Sequence, residues 1–159
     1  MNIYLMRHAA ALPIGGPVEL DAERPLSPEG KAEASRVAAR LKARGVVFDR
    51  IVSSTLLRAR ETAALLAPCG RPGLVPEKHP LLGAGFGVEG LKEVLQEGPP
   101  AEHILVVAHQ PDLGYMVRVL AGGVRGFSPD RISPGTVHAL QIVDWKSKPA
   151  ASWLWVETP

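Results

Sequence analysis

Ile3-Tyr4-Leu5-Met6-Arg7-His8 is the stretch on which the reading of the chain turns. Four consecutive apolar residues, followed at once by a cation and a histidine, are too short and too uniform for an amphipathic helix. A short unbroken apolar run is the pattern of a central strand covered on both faces. Arg7 and His8 then leave its C-terminal end, and in sheets sandwiched between helices ligands collect beyond the carboxyl ends of the strands.

The same βα rhythm continues outward from that strand. Over Ser27 to Arg44 the spacing predicts a helix, with Ser27 as cap, Pro28 in the first turn, Ala34, Val37 and Leu41 on one face, and Gly45 as the stop. Phe48 to Val52 reads as a strand. Ser53, Ser54 and Thr55 offer hydroxyl caps for a helix running through Ala63 and Leu66 to Pro68. The Gly- and Pro-rich stretch from Gly70 to Pro100 holds a short strand near Leu74-Val75 and a helix from Val88 to Gln96. Ile104 to Ala108 is the next apolar strand. His109-Gln110-Pro111 leads into a helix with Leu113, Met116 or Val117, and Leu120 inward, closed by Gly122 and Gly123. Val137, Ala139 and Ile142 suggest one tail strand and Ser152 to Val156 another, joined by a Lys146-Ser147-Lys148-Pro149 turn.

Strands alternating with helices imply one three-layer α/β/α domain over residues 1–159, with a mostly parallel central sheet. The 159 residues are 46% hydrophobic, enough for a substantial core. A formal charge of +2, from 18 Lys and Arg against 16 Asp and Glu, argues against general adhesion to nucleic acid or to an anionic membrane, so any functional positive charge is local. Cys69 is the single cysteine and reads as a buried or incidental thiol, not a disulfide or zinc ligand. With no secretory pattern before Ile3 and no apolar run of spanning length, the expected compartment is a reducing cytoplasm.

Arg7, His8, Ser53, Ser54, Arg58 and His109 all fall at or just after predicted strand ends, although they are scattered along the chain. An arginine fork can clamp phosphate oxygens with paired, permanently charged hydrogen bonds, and Arg7 and Arg58 are placed to do so. Helix N-termini near Thr55 and Pro111 can add backbone N–H donors. Neutral imidazole can attack phosphorus and give a phosphorylated intermediate that water opens, which suits His8. A second, positively charged histidine can stabilise charge on the equatorial oxygens. Residue types alone leave each histidine open between structural and chemical roles.

These residues also carry a resemblance. Leu5-Met6-Arg7-His8-Ala9 resembles the opening Arg-His motif of the histidine phosphatase superfamily, formerly grouped with the phosphoglycerate mutases, with Ala9 where Gly is usual. Arg24-Pro25-Leu26-Ser27-Pro28-Glu29-Gly30 is similar to its segment before the first helix. Val52 to Ala63, with Arg58 at its centre, resembles the second arginine motif. Val106-Val107-Ala108-His109-Gln110-Pro111 matches the segment carrying the second histidine. The resemblance is colinear to about Leu120 and implies a phosphoglycerate mutase-like fold. It further implies His8 as nucleophile, a phosphate pocket of Arg7, Arg58 and His109, Arg24 as a further ligand or rim contact or else a purely structural ion-pair partner, and Ser53 as an orienting group or merely a helix cap. No cofactor or metal is implied, because the arginines supply the compensating charge. His79, His103 and His138 match no catalytic position.

Many members of that superfamily carry an acid that protonates the leaving oxygen. Glu77 and Glu89 are the candidates, Glu89 marginally the better, and neither sits in a convincing copy of the motif. The weak acid motif, small size and absence of a long inserted cap look most like the SixA-type protein-phosphohistidine phosphatases. Imidazole leaves with a conjugate-acid pKa near 6.5, whereas an alkoxide needs a proton donor. The expected substrate is therefore phosphohistidine on a signalling or phosphotransfer protein. The alternatives are a small-molecule phosphomonoesterase acting on a phosphorylated metabolite and a noncatalytic phosphate-binding regulatory domain.

Overall fold

A computed structural model describes residues 1–122, 128, 131–144 and 150–159. Its strands are β1 (Asn2–Arg7), β2 (Arg50–Ser53), β3 (Glu77–Lys78), β4 (His103–Ala108), β5 (Val137–Asp144) and β6 (Ala150–Glu157). Its helices are α1 (Pro28–Ala43), α2 (Leu57–Leu66), α3 (Val88–Gln96) and α4 (Asp112–Ala121). They form one α/β domain around a six-stranded sheet of order β3-β2-β4-β1-β5-β6. β1, β2, β3 and β4 run parallel, while β5 and β6 are antiparallel additions at one side.

The expectation for the first strand follows from its burial. Tyr4 and Met6 face one core with Ala34, Val37 and Leu41 of α1 and Ala59, Ala63 and Leu66 of α2. Ile3 and Leu5 face a second core with Leu91 and Val94 of α3 and Leu113, Met116 and Val117 of α4. Successive residues of a strand point to opposite faces, so an unbroken apolar run is what two helical layers require. Each fully buried aliphatic side chain contributes roughly 1.5–3 kcal/mol. Among the described residues, no helix is long and apolar enough to cross a membrane.

Register brings the scattered residues to one edge. Arg7 of β1 lies opposite Ala108 of β4, and Ser53 of β2 opposite Val107 of β4, so three parallel strands end almost level. The chain stays tied just beyond them: His8 N–H donates to Ala108 O (3.1 Å) and Ser54 N–H to Val107 O (3.0 Å).

Several element boundaries depart from the sequence expectation. Phe48 forms only an isolated bridge to Gly70. Asp49 turns its carboxylate onto the N–H groups of Glu102 and His103 (2.7 and 2.9 Å), so the β2 ladder starts at Arg50. The strand expected near Leu74-Val75 lies instead at Glu77–Lys78; Pro76 has no N–H for a ladder, and Val75 is exposed. None of the hydroxyls at residues 53–55 caps α2, which begins at Leu57. Ser54 instead accepts the N–H of Leu56 (3.2 Å). Gly123 and the turn at 146–149 lie outside the described residues.

The α1 ends follow local chemistry. Ser27 accepts the Gly30 N–H (3.0 Å) at the start. At the end Gly45, with φ of 72°, lets its own N–H reach Lys42 O and that of Val46 reach Leu41 O, a Schellman closure. Gly30 is needed for a different reason. A Cβ there would stand 1.9 Å from the carbonyl oxygen of Ala10, in the loop that leaves His8. Gly30→Ala must force that loop off α1 and is expected to cost at least about 2 kcal/mol, read as a lowered urea midpoint. A wild-type midpoint would contradict the close approach.

Candidate active site

The loop after β1 is held at three points by α1, its N-cap and α2. Ala9 N–H donates to Thr62 Oγ1 of α2 (3.1 Å), Ala10 N–H to Glu33 Oε2 of α1 (3.0 Å), and Ser27 N–H to Ala10 O (3.0 Å). His8 therefore projects from a fixed backbone. Its Nδ1 is 2.8 Å from Ala9 O, and a carbonyl can only accept, so the proton sits on Nδ1 and the lone pair on Nε2. Arg58 Nε–H donates to that lone pair across 3.2 Å, in agreement with the tautomer.

His109 follows β4 and is buried, its ring centroid 5.1 Å from that of His8. Its Nε2 shares a 2.6 Å hydrogen bond with Ser54 Oγ. Arg7 donates through NH1 to Ile132 O (2.6 Å). Two buried atoms of this cluster, Arg7 Nε and His109 Nδ1, have no hydrogen-bond partner among the described residues. Native proteins leave few such atoms, and a functional site is one setting that accounts for them.

Arg58, in the first turn of α2, is the hub. Beyond its bond to His8, NH1 donates to Asp21 O (2.7 Å) and NH2 to Asp21 Oδ2 (3.1 Å). Arg24 binds the other carboxylate oxygen through NH1 (3.0 Å) and fixes itself by donating Nε–H to Leu12 O (2.6 Å). It stands at the rim, and its charge is felt at His8. The hydrogen bond from Arg24 holds the Asp21 carboxyl below its ordinary range against the opposing effect of burial, with the bond and charge of Arg58 adding to it.

Burial pushes His8 down to about 4, reinforced by the charges of Arg58, Arg7 and Arg24 against the opposing bond to Ala9 O. Burial, then the neighbouring His8 and Arg58, pushes His109 down to about 3. A neutral His8 is what nucleophilic attack requires. In the protein by itself these causes disfavour the positive charge expected of His109. A phosphoryl dianion between the rings would add the negative charge that favours its protonation.

The structure thus brings Arg7, His8, Arg24, Arg58 and His109 together. It turns Ser53 away: its hydroxyl donates to Glu77 O (3.4 Å) on the neighbouring strand. Glu77 pairs with Arg50 (3.0 Å), and Glu89 lies exposed along α3 beside Lys92 and Glu93. Neither acid is among the charges felt at His8 or His109. The sequence reading missed Asp21, among the described residues the one carboxylate felt at His109, and missed the role of Ser54. The Asp21-x-x-Arg24 spacing was the available signal for the first.

With a nucleophilic nitrogen, a second imidazole and three arginines in one place, the site can receive a phosphoryl group and transfer it. Comparison with known proteins agrees. Residues 3–82 match the sequence model of the histidine phosphatase superfamily (branch 1), and the chain belongs to that superfamily, whose members are phosphatases. It is 31% identical over 128 residues to the phosphohistidine phosphatase SixA of Escherichia coli, covering 77% of this chain and 76% of that protein. An uncharacterized protein of Picosynechococcus is 36% identical over 132 residues, 79% of this chain and 76% of the other. The solved structure of the protein histidine phosphatase SixA complexed with tungstate superposes with a TM-score of 0.79 at 26% identity, covering 100% of this chain and 97% of that one. The shared architecture is the phosphoglycerate mutase-like fold.

The three depressed histidines, His8, His109 and His138 at about 4, about 3 and about 4, have a consequence for stability. Unfolding returns each to about 6.5, so below that pH the unfolded chain binds more protons than the folded one. Their contribution is complete above pH 6.5 and is lost as pH falls toward 4, at roughly 1 kcal/mol per histidine per unit between pH 6 and 5. Urea denaturation at pH 7, 6 and 5 is expected to show this fall; a flat profile would contradict the buried neutral rings.

Proposed function

We propose that this chain is a phosphohistidine phosphatase working through a phosphorylated His8. The Nε2 lone pair of His8 attacks phosphorus in line as the P–N bond of the substrate phosphohistidine breaks. Solvent protonates the free ring nitrogen of the substrate phosphohistidine, so that the ring departs as neutral imidazole. Water then attacks the phosphoryl group on His8, breaking the new P–Nε2 bond and releasing inorganic phosphate and a proton. Arg7, Arg58 and, at the rim, Arg24 hold the phosphoryl oxygens, while His109 stabilises the charge that grows on them. Ser54 orients His109.

The observation that carries the substrate class is the carboxylate census of the pocket. Among the described residues Asp21 is the one carboxylate felt at His109, and none is felt at His8. Hydrogen bonds from Arg24 and Arg58 keep it ionised, so it has no proton to give at neutral pH. A phosphohistidine protonated on its free ring nitrogen releases neutral imidazole, whose conjugate acid has a pKa near 6.5, without a carboxylic acid, whereas an alkoxide does not leave in this way. The similarity to SixA supports the same reading. A phosphorylated signalling or phosphotransfer protein is the proposed partner, presented to a site whose rim carboxylate is half exposed.

The test is a side-by-side rate comparison on a phosphohistidine protein, free phosphoramidate and alkyl and aryl phosphates, in wild type and Glu89→Gln. General acids contribute roughly 10²–10⁴-fold, so wild type is expected to cleave phosphohistidine faster than alkyl phosphate by a factor of that order. Glu89→Gln is expected to change neither rate appreciably. Efficient alkyl phosphate cleavage that collapses in Glu89→Gln would overturn the assignment in favour of a small-molecule phosphomonoesterase. Absence of turnover on every substrate would favour a phosphate-binding domain.

A further inference from the structure

Asp21 stands where a phosphatase has least use for a negative charge. Its carboxylate bridges Arg58 NH2 and Arg24 NH1 at 3.1 and 3.0 Å, and its carbonyl takes Arg58 NH1. Together with the bond to His8, three of the five guanidinium N–H groups of Arg58 are engaged by groups of the protein itself. A carboxylate that gives one oxygen to each of two arginines occupies N–H donors that phosphate oxygens would use. The two partners differ in freedom. The Arg58 side chain is 9% exposed and rooted in α2, whereas the Asp21 side chain is 50% exposed, on a 3-10 turn (Asp21–Glu23) with no buried residue and no side-chain cap. Of the two partners, the aspartate is the one with freedom to move.

We infer that Asp21 is a displaceable counter-ion: an internal carboxylate that competes with the phosphoryl group for Arg58 and Arg24, and so sets how tightly the site holds an oxyanion. The inference rests on the proposal that these arginines bind phosphate. Between turnovers Asp21 keeps Arg58 pointed at His8. After hydrolysis its return lowers the affinity for inorganic phosphate, which four cationic or polarising groups around one pocket would otherwise retain. It is a positioning and affinity-setting residue, with no contact to the transferred atoms.

A purely structural prop and a counter-ion give opposite signs. If Asp21 only braces Arg58, removing its charge loosens the clamp and weakens anion binding. If it competes, Asp21→Asn tightens binding, by roughly tenfold for loss of one partly screened charge at this range. Orthovanadate titrated calorimetrically into wild type, Asp21→Asn, Glu23→Gln and Arg58→Ala tests this without requiring turnover. The expected result is tighter vanadate binding in Asp21→Asn, wild-type binding in Glu23→Gln, and loss of most binding in Arg58→Ala. Inhibition by inorganic phosphate should tighten in Asp21→Asn in parallel. Unchanged or weaker binding in Asp21→Asn, or equal tightening in Glu23→Gln, would overturn the counter-ion role while leaving the clamp intact. Undiminished binding in Arg58→Ala would remove the clamp itself and the inference with it.

Discussion

The level ending of three parallel strands is the constraint on which the rest depends. β4 pairs with β1 on one side and β2 on the other, with Val107 opposite both Met6 and Ser53. Each neighbouring chain then makes one further bond to β4, His8 N–H to Ala108 O and Ser54 N–H to Val107 O. Residues separated by about a hundred positions thereby meet at one edge. A slip of one residue in either ladder would turn His8 or Ser54 to the opposite face. The apolar runs prevent it, since a slip would also exchange the two cores.

On that frame the pocket is built around a conflict between burial and charge. Two imidazoles and the Arg58 guanidinium crowd together, and burial with like charge keeps both rings neutral. The nucleophile is supplied unprotonated, its tautomer fixed by Ala9 O. Positive charge is left to the arginines. Asp21 offsets part of that charge at the rim. Depressed histidine pKa values favour the chemistry, and their cost falls on the fold at acid pH.

Much of this was legible in the sequence, for identifiable reasons. Ile3 to Met6 and Ile104 to Ala108 are doubly covered strands and read as unbroken apolar runs; α1 carries a cap, a stripe and a glycine stop; α3 has the predicted bounds. Arg7, His8 and His109 stand at strand ends, Arg58 in the first turn of α2, and all four in motifs. What was illegible depends on tertiary partners. Ser53 and Ser54 differ by one position in a strand end, and only the pairing with β3 decides that Ser53 faces Glu77 O while Ser54 reaches His109. The sequence placed Glu77 and Glu89 as candidate acids by region, without showing that Arg50 takes the first and that α3 exposes the second. Asp21 lies in an irregular loop, where no periodicity points to its partners.

The central claim is that the lone pair on His8 Nε2 forms the bond to phosphorus. It is tested most directly by rapid acid-free quench of wild type turning over a phosphohistidine substrate, followed by peptide mapping and phosphorus NMR of the trapped phosphoenzyme. The account predicts a single phosphorylated residue, His8, carrying the phosphoryl group on Nε2. Phosphate on His109, on Nδ1 of His8, or on no residue while hydrolysis proceeds would contradict it.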